Sequence, residues 1–260
     1  MWDPVQYRRY GAERDRPFFD LLGQVSADVP RMVADLGCGT GHLTATLSDR
    51  WPRAHVTGVD SSHEMLAQAA TLSRPGRLDF VQADLRDWRP EQPLDVLLSN
   101  AALQWVPDHG SLIARLASLI APGGTLAFQM PRNFDAPSHT ILAEVRRDGR
   151  WAARLSHTRS ESETAALMGQ TPSWYAERLA PLGFAVNAWE TEYLHLLQGQ
   201  DAVLEWVRGT ALRPVLAALD AAEQHDFLAE YGARLREAYP AGSFGTPFPF
   251  RRLFVVARRL

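Results

Sequence analysis

Val33-Ala34-Asp35-Leu36-Gly37-Cys38-Gly39-Thr40-Gly41, read together with the acidic residue Asp60, decides the fold of this chain. Val33 and Leu36 mark a short apolar strand, and three glycines follow at alternate positions. Glycine adopts backbone angles and permits close approaches that a Cβ forbids. A strand turning on such glycines into a helix is expected to leave backbone N–H groups facing a ligand. The dinucleotide fingerprint requires Gly or Ala where this chain has His42, which speaks against a nicotinamide dehydrogenase. The spacing is instead G-x-G-x-G, with Asp35 two residues ahead of the first glycine.

Working outward from that loop, strand and helix signals alternate. Val33–Leu36, His55–Val59, Leu78–Val81, Leu94–Leu98 and Thr125–Gln129 read as five short strands separated mostly by helices. Ser61 and Glu64 have capping-box spacing for a helix after Asp60, and Asp108 is placed to cap another after Pro107. Such alternation predicts a Rossmann-like α/β fold, a mostly parallel sheet with helices on both faces. The second half breaks the rhythm. Ser156–Thr164 is polar and reads as a loop, Pro172–Leu182 as a helix, and Ala185 to Leu197 as a strand. Helical stretches follow over Asp201–Arg208, Ala211–Leu219 and Ala221–Tyr239, the last with Asp220 and Glu223 as its cap pair, and Phe250–Arg258 reads as a closing strand.

Length and composition narrow the classes. The 260 residues fit one large α/β domain, and 46% hydrophobic content supplies its core. No apolar run reaches the roughly 18 residues of a membrane span, and the N-terminal Met1-Trp2-Asp3-Pro4 lacks a signal pattern, so a cytoplasmic protein off the membrane is expected. Net charge of −3 argues against a nucleic-acid partner. One cysteine and the absence of a Cys/His cluster argue against an intrachain disulfide or a metal centre. All 27 basic residues are arginine, so any anion site must use guanidinium forks.

The glycine loop with Asp35 and Asp60 resembles that of S-adenosylmethionine (SAM)-dependent methyltransferases of class I. The likeness then becomes more specific. Trp2-Asp3-Pro4, Tyr7, Tyr10 and Ala12-Glu13-Arg14 near the N-terminus are similar to the trans-aconitate 2-methyltransferase family. So are Ser99-Asn100-Ala101, Leu103-Gln104-Trp105-Val106-Pro107-Asp108-His109 and Gln129-Met130-Pro131 with Asn133. Trp189-Glu190-Thr191, Leu212-Arg213-Pro214 and Arg252-Leu253-Phe254-Val255-Val256-Ala257 extend the match over nearly the whole chain, while residues 145–170 depart from it.

The resemblance implies a seven-stranded sheet with a helical cap insertion at about 199–245, an N-terminal helical segment at 1–30, and a single methyltransferase domain over 1–260. It implies SAM as cofactor, with S-adenosylhomocysteine as product. Asp35, Gly37, Gly39, Asp60, Ser61, Asp84, Leu85 and Asn100 are the expected cofactor residues. In that set Asp60 is placed to accept the ribose hydroxyls and Asp84 the adenine amino group. It implies methylation of one carboxylate of a small unsaturated tricarboxylic acid to a monomethyl ester. A carboxylic acid ionises near ~4, so the nucleophile is already charged at neutral pH and no general base is expected. Arg213, Arg252, His195, Trp105 and Tyr7 are the candidates for positioning the acid, with Arg14, Arg16 and Arg251 in reserve. Two readings stay open beside this one. A malonyl-carrier-protein O-methyltransferase shares the loop and the Ser-Asn…Gln-Trp segment, and a natural-product O- or N-methyltransferase would replace arginines with an apolar pocket and a base. Oligomeric state is not legible in the sequence.

Overall fold

A computed structural model describes residues 11–156, 170–209 and 211–260. Seven strands form one sheet in the order β3-β2-β1-β4-β5-β7-β6. They are β1 (Met32–Leu36), β2 (His55–Asp60), β3 (Leu78–Gln82), β4 (Leu94–Asn100), β5 (Ile120–Pro131), β6 (Phe184–Leu197) and β7 (Thr246–Arg259). The pairs β1/β2, β1/β4, β2/β3 and β4/β5 are parallel. The chain leaves β1 for β2 on one side, and β4 then returns to pair with β1 on the other. That reversal of strand order is where open α/β sheets bind ligands, beyond the carboxyl ends of the strands.

Contacts divide the described residues into two compact units, and the division falls inside β6 and β7. One unit takes Arg14–Pro131, Gln170–Thr191 and Leu253–Leu260. Its helices include α1 (Gly11–Gly23, all but its first residues), α2 (His42–Arg50), α3 (His63–Ala69), α4 (His109–Ser118) and α7 (Pro172–Leu179). Its core is Leu36, Leu97, Ile113, Leu116, Phe128, Tyr175 and Val255, all at 0% exposure. Burying side chains of that size contributes about 1.5–3 kcal/mol each. The central strands β1 and β4 are buried nearly throughout because both of their faces are covered, whereas the edge strand β3 is mostly exposed.

The other unit takes residues 132–156 and Glu192–Arg252. Its helices are α5 (Pro137–Arg147), α6 (Ala152–Leu155), α8 (Ala202–Arg208), α9 (Arg213–Ala217) and α10 (Ala221–Ala238). Trp151, Trp206, Phe227, Tyr231 and Phe248 form its aromatic core. Trp151 meets Phe227 edge-on at 5.3 Å and donates from Nε1 to Glu230 Oε2 at 3.0 Å. The α10 start is the expected capping box, with Asp220 accepting from Ala222 and Glu223 and the Glu223 side chain accepting from Asp220 N.

Three expectations change. The Ser61–Glu64 capping box does not form: Asp60 Oδ1 accepts from Ser62 N at 2.9 Å, and this turn moves the helix start on by one residue. Ser62 is the cap, accepting from Met65 N. The last strand begins at Thr246, four residues earlier than expected, because Pro247 and Pro249 interrupt its pattern in sequence and disguise its start. Helices α5 and α6 occupy a stretch to which the sequence reading gave no element. Beyond Ser156, the expected loop lies outside the described residues.

Candidate cofactor and acceptor sites

The glycine loop leaves β1 at the strand-order reversal. Gly37, Gly39 and Gly41 all have left-handed backbones, with φ of 76°, 55° and 75°. A Cβ on Gly37 would sit 2.2 Å from the Cβ of Ala102, so the loop after β1 packs directly on the loop after β4. A Cβ on Gly39 would meet nothing within 4 Å. It would project into open space, which is where a ligand against this loop would lie.

The loop amides are mostly turned inward, contrary to the expectation that they face a ligand. Gly37 N and Cys38 N donate to Val59 O at 2.8 and 3.1 Å, Gly39 N to Asp60 Oδ2 at 2.9 Å, and Gly41 N to Cys38 O at 3.0 Å. With those donors consumed inside the chain, the loop is a poor cradle for a pyrophosphate. His42 ends the motif and lies 3.0 Å from Asp15 through Nε2 and 3.1 Å from Thr40 through Nδ1.

Asp60 is held rigidly by Gly39 N on one oxygen and Ser62 N on the other, both at 2.9 Å. Each carboxylate oxygen retains a lone pair for a further donor. Asp35 is 2% exposed; its Oδ2 accepts from Thr44 Oγ1 at 2.6 Å, and its buried Oδ1 has no partner. Burial pushes its carboxyl up to about 6, with the nearby Asp60 charge adding to the rise and the Thr44 hydrogen bond and His42 opposing it. A buried, orphaned carboxylate oxygen in an acidic corner suits a cationic ligand. Cys38 is buried beside these two acids, and burial pushes its thiol up, so it stays protonated.

Asp84 is gripped by Arg86. Arg86 Nε lies 2.9 Å from both carboxylate oxygens, and Arg86 N donates to Oδ1 at 2.8 Å. That guanidinium holds the Asp84 carboxyl down at about 2. Arg115 of α4 donates to Leu85 O and, at 3.0 Å, to Trp88 O, so it fixes the loop after β3. Ser61 is exposed, and its carbonyl accepts from Gln82 Nε2 at 3.2 Å.

After β4, Asn100 Oδ1 accepts from the fully buried Gln129 Nε2 at 2.5 Å. Ala101 takes a left-handed φ of 53°, uncommon for a residue with a Cβ, which turns Ala102 onto Gly37. Trp105 stands 54% exposed on the following turn. The turn is tied down by His109, whose Nε2 is 2.9 Å from Leu103 O and whose Nδ1 is 2.7 Å from Tyr175 Oη. Burial pushes His109 below the usual histidine range, leaving it neutral.

In the helical unit, His195 is buried, stacked on Trp206 at 4.8 Å and 6.0 Å from the Phe250 ring. Arg252 is 4% exposed with its guanidinium 4.9 Å over the same Phe250 ring. The structure therefore gathers these two candidates around one phenylalanine. Arg213 is exposed at the start of α9. Tyr7 and Tyr10, and the side chain of Arg14, lie outside the described residues, and Arg16 is exposed near Asp20. Sequence reasoning missed Thr44 and Arg115, whose partners lie 9 to 30 residues away in the chain and carry no local signal. Gln129 and His109 stand in the family-like stretches, but their neighbours in sequence reveal no role for them.

Comparison with known proteins agrees with this geometry. A family of the description "Methyltransferase domain" matches residues 33–124. A trans-aconitate 2-methyltransferase of Streptomyces avermitilis is 52% identical over 99% of this chain and 97% of its own length. The chain belongs to the trans-aconitate 2-methyltransferase family. A family member of Rhodococcus jostii is 47% identical over 99% of both chains. Among solved structures, the YcgJ protein of Bacillus subtilis covers 94% of this chain at 16% identity and a TM-score of 0.54. A Haemonchus contortus phosphoethanolamine N-methyltransferase, of which the aligned part is 53%, scores 0.51 at 16% identity. These two establish the class I methyltransferase fold.

Membership makes the chain a SAM-dependent methyltransferase, and the site fits that donor. The open space at Gly39, the orphaned Asp35 oxygen and the fixed Asp60 carboxylate together offer acceptors for hydroxyls and a cation rather than donors for a pyrophosphate. When bound, SAM supplies an electrophilic methyl group. Among the described residues no helix is long and apolar enough to cross a membrane, and no group of three or more His, Cys, Asp or Glu is placed to hold a metal ion.

Proposed function

We propose that this chain methylates a carboxylate of a small polycarboxylic acid, trans-aconitate in the first instance, to a monomethyl ester. The observation that carries the reading is identity of 52% and 47% over essentially the full chain to two enzymes of that name. The chemistry supports it. A carboxylate is ionised at neutral pH, so the protein has only to align it, exclude water and bind the remaining carboxylates. Asp60 takes the ribose hydroxyls, Asp35 faces the cationic part of the donor, and Gly37, Gly39, Ser61, Leu85 and Asn100 shape the rest of its site. Asp84 serves the adenine end as an Arg86-bound carboxylate.

The acid requires cations, and lysine is absent from the chain. Arg252, beside His195 on Phe250, and Arg213, exposed on α9, are the arginines put forward by the sequence, with Trp105 and Tyr7 as further walls. Replacing either arginine by methionine is expected to lower kcat/KM by about tenfold or more without changing S-adenosylhomocysteine affinity. The decisive experiment incubates the protein with labelled SAM and a panel of di- and tricarboxylic acids. A base-labile labelled product from trans-aconitate supports the reading. Labelling only of a carrier-protein thioester, or of base-stable products, would transfer it to the other acceptors.

A further inference from the structure

The helical unit contains a cavity of about 250 Å³ that the sequence did not indicate. Asn133, Asp135, Glu192, Tyr239, Pro249 and Arg251 line it. Asn133 is 2% exposed, and both its amide nitrogen and its amide oxygen are buried without a hydrogen-bond partner. Leaving an amide unpaired in an interior is costly, and proteins tolerate it mainly where a ligand or water completes the bonding. The backbone here is settled: Arg132 N donates to Arg251 O at 2.8 Å, and Ala136 N to Asn133 O at 3.1 Å. The unpaired amide is therefore presented by a fixed turn.

Three positive elements converge on this cavity. One is the Asn133 Nδ2 donor. The second is the Arg251 guanidinium, 37% exposed, whose Nη2 lies 3.3 and 3.4 Å from the two oxygens of Asp135. The third is the partial charge at the N-terminus of α5, an eleven-residue helix whose first N–H groups are already engaged, Ser138 N by Tyr239 Oη and His139 N and Thr140 N by Ala136 O; Ala136 and Pro137 also line the cavity. A helix start carries a partial positive charge. Against these stand Asp135 and Glu192, both exposed at the rim. Arg251 thus already has a counter-ion, bound at long distances through a single nitrogen. A carboxylate entering from solvent can offer it the shorter, forked geometry that guanidinium prefers.

We propose that Asn133 and Arg251 bind a carboxylate of the small acid within this cavity, and that Asp135 is the internal counter-ion this carboxylate displaces. The inference rests on the polycarboxylic-acid reading above and adds the residues that recognise the acid. Asp135 has a selective role in it: it holds the Arg251 fork at the cavity when no acid is present and sets a threshold that a weakly held anion does not overcome.

The test uses the full chain saturated with S-adenosylhomocysteine, with trans-aconitate titrated by calorimetry and KM measured with SAM. Asn133→Leu removes the unpaired amide at nearly constant volume. It is expected to leave Tm and S-adenosylhomocysteine affinity unchanged or improved while weakening trans-aconitate binding by about tenfold or more. Arg251→Met, on a half-exposed side chain that leaves the fold intact, should weaken it comparably, and Arg251→Lys should recover part of the loss. Asp135→Asn should act in the opposite direction and lower KM several-fold, which a purely structural ion pair would not do. If Arg251→Met and a folded Asn133→Leu both keep the wild-type KM while the wild-type protein methylates trans-aconitate, this subsite is wrong and the activity stands. If the wild-type protein methylates no small acid, the activity reading fails and the subsite fails with it.

Discussion

Thr44 Oγ1 donates to one oxygen of Asp35 across 2.6 Å, while the other oxygen of the same buried carboxylate has no partner. One neutral hydrogen bond does not offset the desolvation of a carboxylate, which is why this group is raised to about 6 from an ordinary 3.8. Such a group is a liability in the empty protein and an asset when a cation binds.

The pH dependence follows from the sign of that shift. A raised carboxyl holds its proton more tightly in the folded chain than in the unfolded one. Its stabilising contribution is complete below the unfolded value near 4 and is lost as pH rises through about 6. Asp35→Asn removes the charge and is expected to raise the Tm of the ligand-free protein by several degrees at pH 8, and by less at pH 5, for a gain of up to about 3 kcal/mol. The same variant should bind SAM at least tenfold more weakly, and wild-type affinity should decline below about pH 6. Thermal scans at both pH values and calorimetric titration check both halves. A variant less stable at pH 8 than the wild type would contradict the account.

Gly37 and Gly39 should respond differently to alanine. At Gly37 the added methyl meets Ala102 at 2.2 Å, so Gly37→Ala is expected to lower Tm sharply or prevent folding. At Gly39 the methyl enters open space, and the cost to the fold is only the left-handed backbone, roughly 1–2 kcal/mol. Gly39→Ala should therefore fold and lose S-adenosylhomocysteine affinity, as measured by calorimetry beside a melting curve.

Asp60→Ala removes the acceptor for Gly39 N and Ser62 N as well as the one assigned to the ribose. S-adenosylhomocysteine affinity should fall more than tenfold. Asp60→Asn separates the two roles. It can still accept from one of these amides, so it should recover more of the melting temperature than of the affinity.

An ionised nucleophile sets the pH profile of the reaction. Above about pH 7 the acid gains no further charge, so kcat should stay nearly flat to about pH 9. Substitution of a single His or Glu should leave appreciable turnover. A tenfold rise in kcat per pH unit over that range would show that a base or a neutral nucleophile takes part.

What could be read from the sequence was what is encoded locally. The glycine loop, Asp60 and the five parallel strands are signalled by residues adjacent in the chain, as is the Asp220–Glu223 cap of α10. The α5 helix was not legible. Only Ser138, Leu142 and Val145 of its eleven residues are buried. Its start is fastened by Tyr239 Oη accepting from Ser138 N and by Tyr231 Oη donating to Ser138 O, partners 101 and 93 residues away. Asn133 was quoted only as part of a family-like stretch, since nothing in its neighbours reveals that both ends of its amide are buried. The grip of Arg86 on Asp84 spans two residues and was within reach of the sequence, but its meaning depends on the turn between them.

The inward-facing amides of the glycine loop have a kinetic consequence. Because Gly37, Cys38, Gly39 and Gly41 satisfy their N–H groups within the chain, the loop is fully formed before the donor arrives. Association then carries little ordering entropy, and variants around the loop should differ in how long the ligand stays rather than in how fast it arrives. The four amides should be as slow to exchange with deuterated water in the empty protein as in the complex, so the loop acts as a rigid mould rather than a clasp.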